Sequence, residues 1–334
     1  MRPPALAARA AVLALLATAP LYLGHFRLGL LTSILSFGLF AASLDLLIGY
    51  AGLPSLGHAA YLGIGGFAAA LLALHVTPNV FAQLGVATGA AGLGAAVVGA
   101  FAVRSRGIYF LMLTLAAGEL LSELATNWTS VTQGTNGLSG LPNGSFYPGD
   151  GRPLDPNLHR TQMYYYVLVA FLVGYAILKM VVGSPFGRAL VGLRENDARM
   201  LSLGYDVTLY KIAAFVLAGA IAGFAGALTV QQQKFVDYTI FSFTNFSALA
   251  VIALIIGGRG TLLGAVIGGG FVFVVREELA GYFSQHWMIV LGLVFVFVVY
   301  TLPGGLIGGA RALRRLAGRA RPPARPREAP EGAL

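Results

Sequence analysis

The sequence predicts an all-α, polytopic membrane protein of about ten transmembrane helices, some of them short or broken. Three observations carry this. Of 334 residues, 57% are hydrophobic and only 10% charged, where a soluble domain carries about 25% charged residues. The mean hydropathy is +0.77, and the apolar residues fall into runs close to the roughly 20 residues that cross a bilayer as a helix. The 45 glycines fit close helix approach in lipid, where small residues let backbones meet.

In chain order the runs lie at 10–26, 29–49, 55–76, 81–103, 107–126, 162–182, 211–232, 243–258, 261–276 and 285–303. The first resembles a secretory leader, with Arg2 and Arg9 ahead of it and Ala17–Ala19 as a cleavage-like site. Nine further runs favour an uncleaved first span. The eighth and ninth are short, as tilted, buried or re-entrant segments would be. Residues 1–310 are expected to form one transmembrane domain, and residues 311–334 a disordered basic tail.

Ten crossings place both termini on one side. Arg2, Arg9, Arg104, Arg106, Arg188, Arg194, Arg199, Arg259 and the seven arginines of 311–327 then share that side. The positive-inside rule makes it cytoplasmic. Residues 183–210 become a cytoplasmic loop and 127–160 an external one. The expected location is the inner (plasma) membrane of a bacterial cell. The net charge of +9 resides largely in the tail, where it suits anionic lipid better than nucleic acid.

The polar interruption at 183–210 reads as two capped helices rather than a linker. Ser184 caps a helix whose first residue is Pro185, where a missing N–H costs nothing. Asn196 or Asp197 caps a second, which Gly204 ends in a left-handed conformation. With Arg188, Arg194 and Arg199 the pair makes a docking surface.

Two breaks occur within the apolar runs. Leu47–Gly52 (LIGYAG) is echoed by Ile255–Gly260 (IIGGRG), each followed within five residues by Leu-Gly. Pro54 and the glycines around it free backbone groups that only protein or a water-filled cavity can satisfy at membrane depth. Ser55 and His58 follow the first break and offer polar groups to a passing solute. A lone buried histidine is equally the mark of a hydrogen-bonded strut.

Ionisable residues inside the membrane cost roughly 2.5–3.5 kcal/mol at a helix centre and are functional candidates by default. Asp45 lies in the second run. Glu119 and Glu123, four apart in the fifth, share one helix face. The structural alternatives are an Asp45 bonded within the bundle and two glutamates near a helix end.

The catalytic chemistries are poorly served. The three lysines, Lys179, Lys211 and Lys234, follow Leu, Tyr and Gln, so no phosphate-cradling Gly-Lys-Ser/Thr loop exists. No cysteine is present, no histidine pair has metal spacing, and no Ser/His/Asp set stands out. The chain is expected to be neither an ATPase nor any other enzyme, and to bind no metal or cofactor itself.

Several blocks together resemble the integral-membrane subunits of branched-chain amino-acid ABC importers, on the side of the LivM-like member of the permease pair. They are Leu46–Gly52 (LLIGYAG), Ser55–Gly65 (SLGHAAYLGIG), Arg106–Glu119 (RGIYFLMLTLAAGE) and Asn127–Pro142 (NWTSVTQGTNGLSGLP). Gly187–Glu195 (GRALVGLRE), Lys211–Ala227 (KIAAFVLAGAIAGFAGA) and Gly257–Gly264 (GGRGTLLG) complete the set. The chain departs from the pattern at Leu53, where glutamine is common, and at Thr135.

The resemblance implies about ten helices and a second homologous permease completing the translocation path. Two ABC ATPase subunits would use ATP and Mg beneath it, and a periplasmic or extracellular binding protein would deliver the substrate. Ser55, His58, Glu119 and Asp45 would lie on the path, and Gly187, Arg188, Arg194 and Glu195 in the segment that couples to the ATPases. The cargo would be branched-chain amino acids or related small polar solutes such as other amino acids, urea or amides. The competing reading is an ion-coupled secondary transporter that uses Asp45, Glu119 and Glu123 as ion carriers.

Overall fold

The computed structural model describes residues 14–105, 107–142, 144, 156–282, 287–301 and 305–308. Arg2, Arg9, the 145–155 stretch and the basic tail lie outside them. Among the described residues no strand occurs, which agrees with the all-α expectation.

After a helical segment at 14–22, the long helices are α1 (His25–Asp45), α2 (Ala59–His75), α3 (Val80–Ala102), α4 (Ile108–Asn127) and α5 (Pro156–Gly183). The polar insertion supplies α6 (Pro185–Glu195) and α7 (Asp197–Ser202). Then follow α8 (Val207–Gln233), α9 (Ala248–Gly257), α10 (Leu262–Tyr282) and α11 (Trp287–Thr301).

Every apolar run therefore contains helix, but the expected count of about ten crossings is not confirmed. Among the described residues, five helices are long and apolar enough to span: 26–51, 80–102, 108–127, 161–183 and 207–233. A sixth is formed only if α9 and α10, bent by 118° at their junction, are counted as one span. Backbone breaks shorten two of the remaining helices. The 52–58 break leaves α2 with 17 residues, and a π-type turn at Phe243–Ser247 leaves α9 with 10.

The core forms around α8. Ala214, Phe215, Ala218, Ala222, Ala225, Ala227 and Leu228 are fully buried. Gly219 and Gly223 recur four residues apart on the face that meets α3 at Ala91 and Ala95, so a methyl group at either would strike those alanines. In lipid such small-residue seams give helices their contact, because hydrocarbon surroundings offer no hydrophobic drive. Helix entries are fixed by side chains. Asn79 Oδ1 accepts from Phe81 N and Ala82 N at 3.0 and 3.1 Å, and Asp206 Oδ1 from Leu209 N at 3.0 Å.

The two capped helices expected in the polar insertion are formed as read. Ser184 Oγ accepts from Gly187 N at 3.3 Å with Pro185 at the first helical position, and Asn196 Oδ1 accepts from Arg199 N at 2.9 Å. Gly204 ends the second helix with φ +86°. An ion pair of 2.5 Å between Lys211 and Asp197 ties α7 to the start of α8.

Candidate functional site

The residues singled out by sequence fall into two places along α1, one exposed face of α4 and the polar insertion. At its C-terminal end α1 passes into a π-type segment, Leu46–Ala51, which Gly52 ends with φ +70°. Asp45, fully buried, accepts through Oδ1 from Gly260 N at 2.7 Å. Gly260 (φ +75°) belongs to the bend between α9 and α10. Arg194, at the end of α6, donates from Nη1 to Gly49 O. A side chain at Gly49 would collide with Asp45 Oδ1 and the Gly260 backbone, and one at Gly52 with the Arg194 side chain. The two echoing segments thus touch each other, and the polar insertion is tied into their junction.

One turn and more away from this knot lies His58, also fully buried. Its Nε2 is 2.9 Å from Ser43 Oγ. Ser43 gives its single hydroxyl proton to Phe40 O at 2.7 Å, so Nε2 carries the ring proton and donates. Phe40 stacks on the ring at 5.3 Å and Tyr61 meets it edge-on at 5.6 Å. Ser55 is fully buried in the same break. Ser55 Oγ, His58 Nδ1 and Asp45 Oδ2 are buried atoms without a hydrogen-bond partner among the described residues. Ser55 and His58 are both fully buried, as the strut alternative expects, and His58 stacks on Phe40, which lines a cavity.

The break also leans on α4. Leu56 N donates to Thr114 Oγ1 at 3.2 Å, and Gly57 and Gly118 meet backbone to backbone. The opposite side of α4 is exposed at Tyr109, Met112, Glu119, Leu120, Glu123 and Asn127. Glu119 and Glu123 do share this face, in one recess with Asn127, whose Nδ2 donates to Glu123 Oε1 at 2.7 Å.

Toward the N-terminal end of α1 opens a cavity of about 430 Å³. Its lining runs along α1 from Phe26 to Phe40, about 21 Å of helix at 1.5 Å per residue, and so ends little more than one turn short of Asp45. Phe37, Phe40, Phe246 and Phe273 form its apolar wall. Gln232 on its lining donates to Gly29 O at 2.8 Å and Ser33 Oγ at 2.9 Å, joining α8 to α1. Arg276 and Glu277 of α10 complete the lining. Sequence reasoning missed this site. The ninth apolar run ends at 276, whereas the helix continues to Tyr282. Two adjacent opposite charges inside a helix that outlasts its apolar run were the available signal.

In the docking pair, Arg188 and Glu195 are exposed, while Gly187 is buried against the carbonyls of Val181 and Val182. Among the described residues no group of three or more His, Cys, Asp or Glu is placed to hold a metal ion.

An all-α bundle of apolar spans, two of its backbone breaks joined and a capped polar insertion hydrogen-bonded to them, defines a multi-pass membrane protein of the permease class. A family model described as the permease component of branched-chain amino acid transport systems matches residues 26–299, and the chain belongs to that family. It is 28% identical over 323 residues to the high-affinity branched-chain amino acid permease LivM of Escherichia coli K12, covering 92% of this chain and 76% of that protein. A probable LivM of Methanocaldococcus jannaschii is 23% identical over 82% of this chain and 92% of its own length. LivH of Salmonella typhimurium is 26% identical over 59% of this chain and 64% of its own length. The resemblance to LivM-like permeases is thereby borne out. No solved structure matches the chain.

Proposed function

We propose that this chain is the membrane-spanning, non-catalytic subunit of an ATP-driven importer of branched-chain amino acids, in the inner membrane of a bacterial cell with both termini cytoplasmic. Related small polar solutes, including other amino acids, urea and amides, form the wider cargo class. The observation that carries the reading is the bond from Arg194 to Gly49. It connects a capped surface pair, of the kind a soluble partner grips, to the two broken segments of the bundle. Two ABC ATPase subunits dock on α6–α7 through Gly187, Arg188, Arg194 and Glu195 and consume ATP and Mg, while this chain holds no cofactor. A periplasmic or extracellular binding protein supplies the substrate, and the basic tail rests on membrane lipid.

A second homologous permease covers the exposed face of α4. Two carboxylates turned toward hydrocarbon would each cost on the order of 2–3 kcal/mol, so Glu119 and Glu123 face a wet path or a protein partner. The chain's likeness to LivH as well as LivM supports a partner of similar build. The path includes Glu119 directly, His58 and Ser55 from behind Phe40, and Asp45 at the inner knot.

The test is uptake of labelled leucine into vesicles containing the assembled transporter and its binding protein. Accumulation that requires ATP and ignores an imposed ΔpH is expected. Accumulation driven by ΔpH without ATP overturns the reading in favour of ion coupling through Asp45, Glu119 and Glu123.

A further inference from the structure

The cavity at the N-terminal end of α1 combines three chemistries that rarely meet inside a membrane bundle. Its volume of about 430 Å³ lies in the range of roughly 300–1,000 Å³ usual for small-molecule pockets. One wall is built of phenylalanines, Phe37 and Phe273 packed at 5.8 Å and Phe40 fully buried behind them. Charges of both signs, Arg276 and Glu277, stand on the same lining. An aromatic wall alone would suit a lipid tail. A guanidinium alone would suit an anion. A guanidinium and a carboxylate beside an aromatic wall match a molecule that carries both charges and an aliphatic side chain.

We propose that this cavity is a substrate subsite belonging to this chain, taking an α-amino acid zwitterion with a branched aliphatic side chain. The Arg276 guanidinium binds the carboxylate, for which its planar fork of donors is matched. The Glu277 carboxylate receives the ammonium. The aliphatic group lies on Phe37, Phe40 and Phe273, where its removal from water contributes about 0.8 kcal/mol for each buried methylene. Gln232, bonded to Gly29 O and Ser33 Oγ, holds α1 and α8 at the spacing the pocket needs. The subsite rests on the importer reading and adds to it that the membrane subunit reads the substrate itself.

The chain has no cysteine, so alkylation of a single Thr229→Cys on the cavity lining, read on this subunit after it is separated from its partners, reports on the cavity. The assembled transporter carrying this substitution, with its second permease and ATPases, is treated with a small thiol reagent. Leucine, 4-methylpentanoate (no ammonium) and 3-methylbutylamine (no carboxylate) are the competitors. Leucine is expected to slow alkylation at least fivefold, and each analogue to need at least tenfold more for the same protection. Glu277→Gln removes the preference for leucine over 4-methylpentanoate, and Arg276→Gln the preference over the amine. If either charge variant fails to assemble, the three-competitor comparison on Thr229→Cys alone decides.

Equal protection by all three compounds overturns the inference, leaving only an apolar recess. No alkylation in the absence of competitor also overturns it, because the second permease then fills the space. Alkylation without leucine protection, while ATP-driven leucine uptake persists, overturns the subsite and leaves the importer reading standing. Absence of ATP-driven leucine uptake by the unsubstituted transporter overturns the importer reading, and the subsite with it.

Discussion

Arg194 donates a hydrogen bond from Nη1 to the carbonyl oxygen of Gly49, across 145 positions of sequence. The carbonyl is available because Gly49 lies in the last turn before left-handed Gly52, where helix carbonyls find no partner in their own helix. Asp45 takes up Gly260 N in the same knot, so α6, α1 and the bend between α9 and α10 are joined by hydrogen bonds at one place. A polar link of this kind works as a lever only if its members stay bonded while the flanking helices move.

Arg194→Ala removes a charge-assisted bond worth about 1.5–3 kcal/mol. ATP-driven uptake should fall at least tenfold while ATPase activity of the assembled complex continues, which marks uncoupling. Arg194→Lys keeps a donor but not its reach in a fixed plane, and should retain an intermediate rate. Equal losses of uptake and ATPase activity would show that the residue only holds the complex together. Gly49→Ala is expected to cost about 1–3 kcal/mol in thermal unfolding, since its methyl group overlaps Asp45 and Gly260.

Arg188 and Gly187 separate docking from folding within α6. Arg188 is exposed, its guanidinium donating only to the local Gly183 O at 3.1 Å. Arg188→Glu should lower ATP-driven uptake at least tenfold with an unchanged melting temperature of the isolated subunit. Gly187→Glu should instead lower the melting temperature, because the glycine has no room beside Val181 and Val182. Normal uptake by Arg188→Glu would remove it from the docking surface.

Much of this arrangement was legible in the sequence, and for local reasons. Ser184 and Pro185, Asn196 and Gly204 specify caps and stops through their own backbone chemistry, so the docking pair could be read position by position. The apolar runs located every helix in the same way. The break between the eighth and ninth runs was also legible, but not the 118° bend at Gly258 and Gly260 that decides whether the two helices make one span. The cavity was equally hidden. Its lining joins Ser33, Gln232 and Arg276, residues whose proximity depends on α1, α8 and α10 packing together and leaves no periodic trace. The touching of the LIGYAG and IIGGRG segments gave one faint sign, a repeated motif in a glycine-rich chain.

His58 bears on the cavity through Phe40, which stacks on its ring at 5.3 Å and lines the opening. His58→Ala should destabilise the protein by on the order of 2–3 kcal/mol, from the lost Ser43 bond and the void left between Phe40 and Tyr61. Leucine uptake should fall about tenfold, with affinity of the separate binding protein unaltered. Ser43→Ala breaks the same bond but keeps the ring, and should cost only about 1 kcal/mol with uptake largely preserved. If Ser43→Ala and His58→Ala impair uptake equally, the hydrogen bond and not the stacked ring controls the wall.

Glu119 distinguishes a lipid-facing α4 from one that lines a path or meets a second permease. Its neighbours on the exposed face, Tyr109, Met112 and Leu120, are apolar, and lipid would suit all of them. Against hydrocarbon the carboxylate is a cost, so Glu119→Leu would stabilise the subunit by on the order of 2–3 kcal/mol and leave transport intact. Against water or a polar partner the same substitution removes a useful group. Uptake should then fall at least tenfold, while Glu119→Gln, which keeps size and hydrogen bonding, retains most of it. Parallel measurement of melting temperature and ATP-driven leucine uptake for the two variants separates the cases. A more stable and fully active Glu119→Leu would place α4 against lipid and move the second permease to another face.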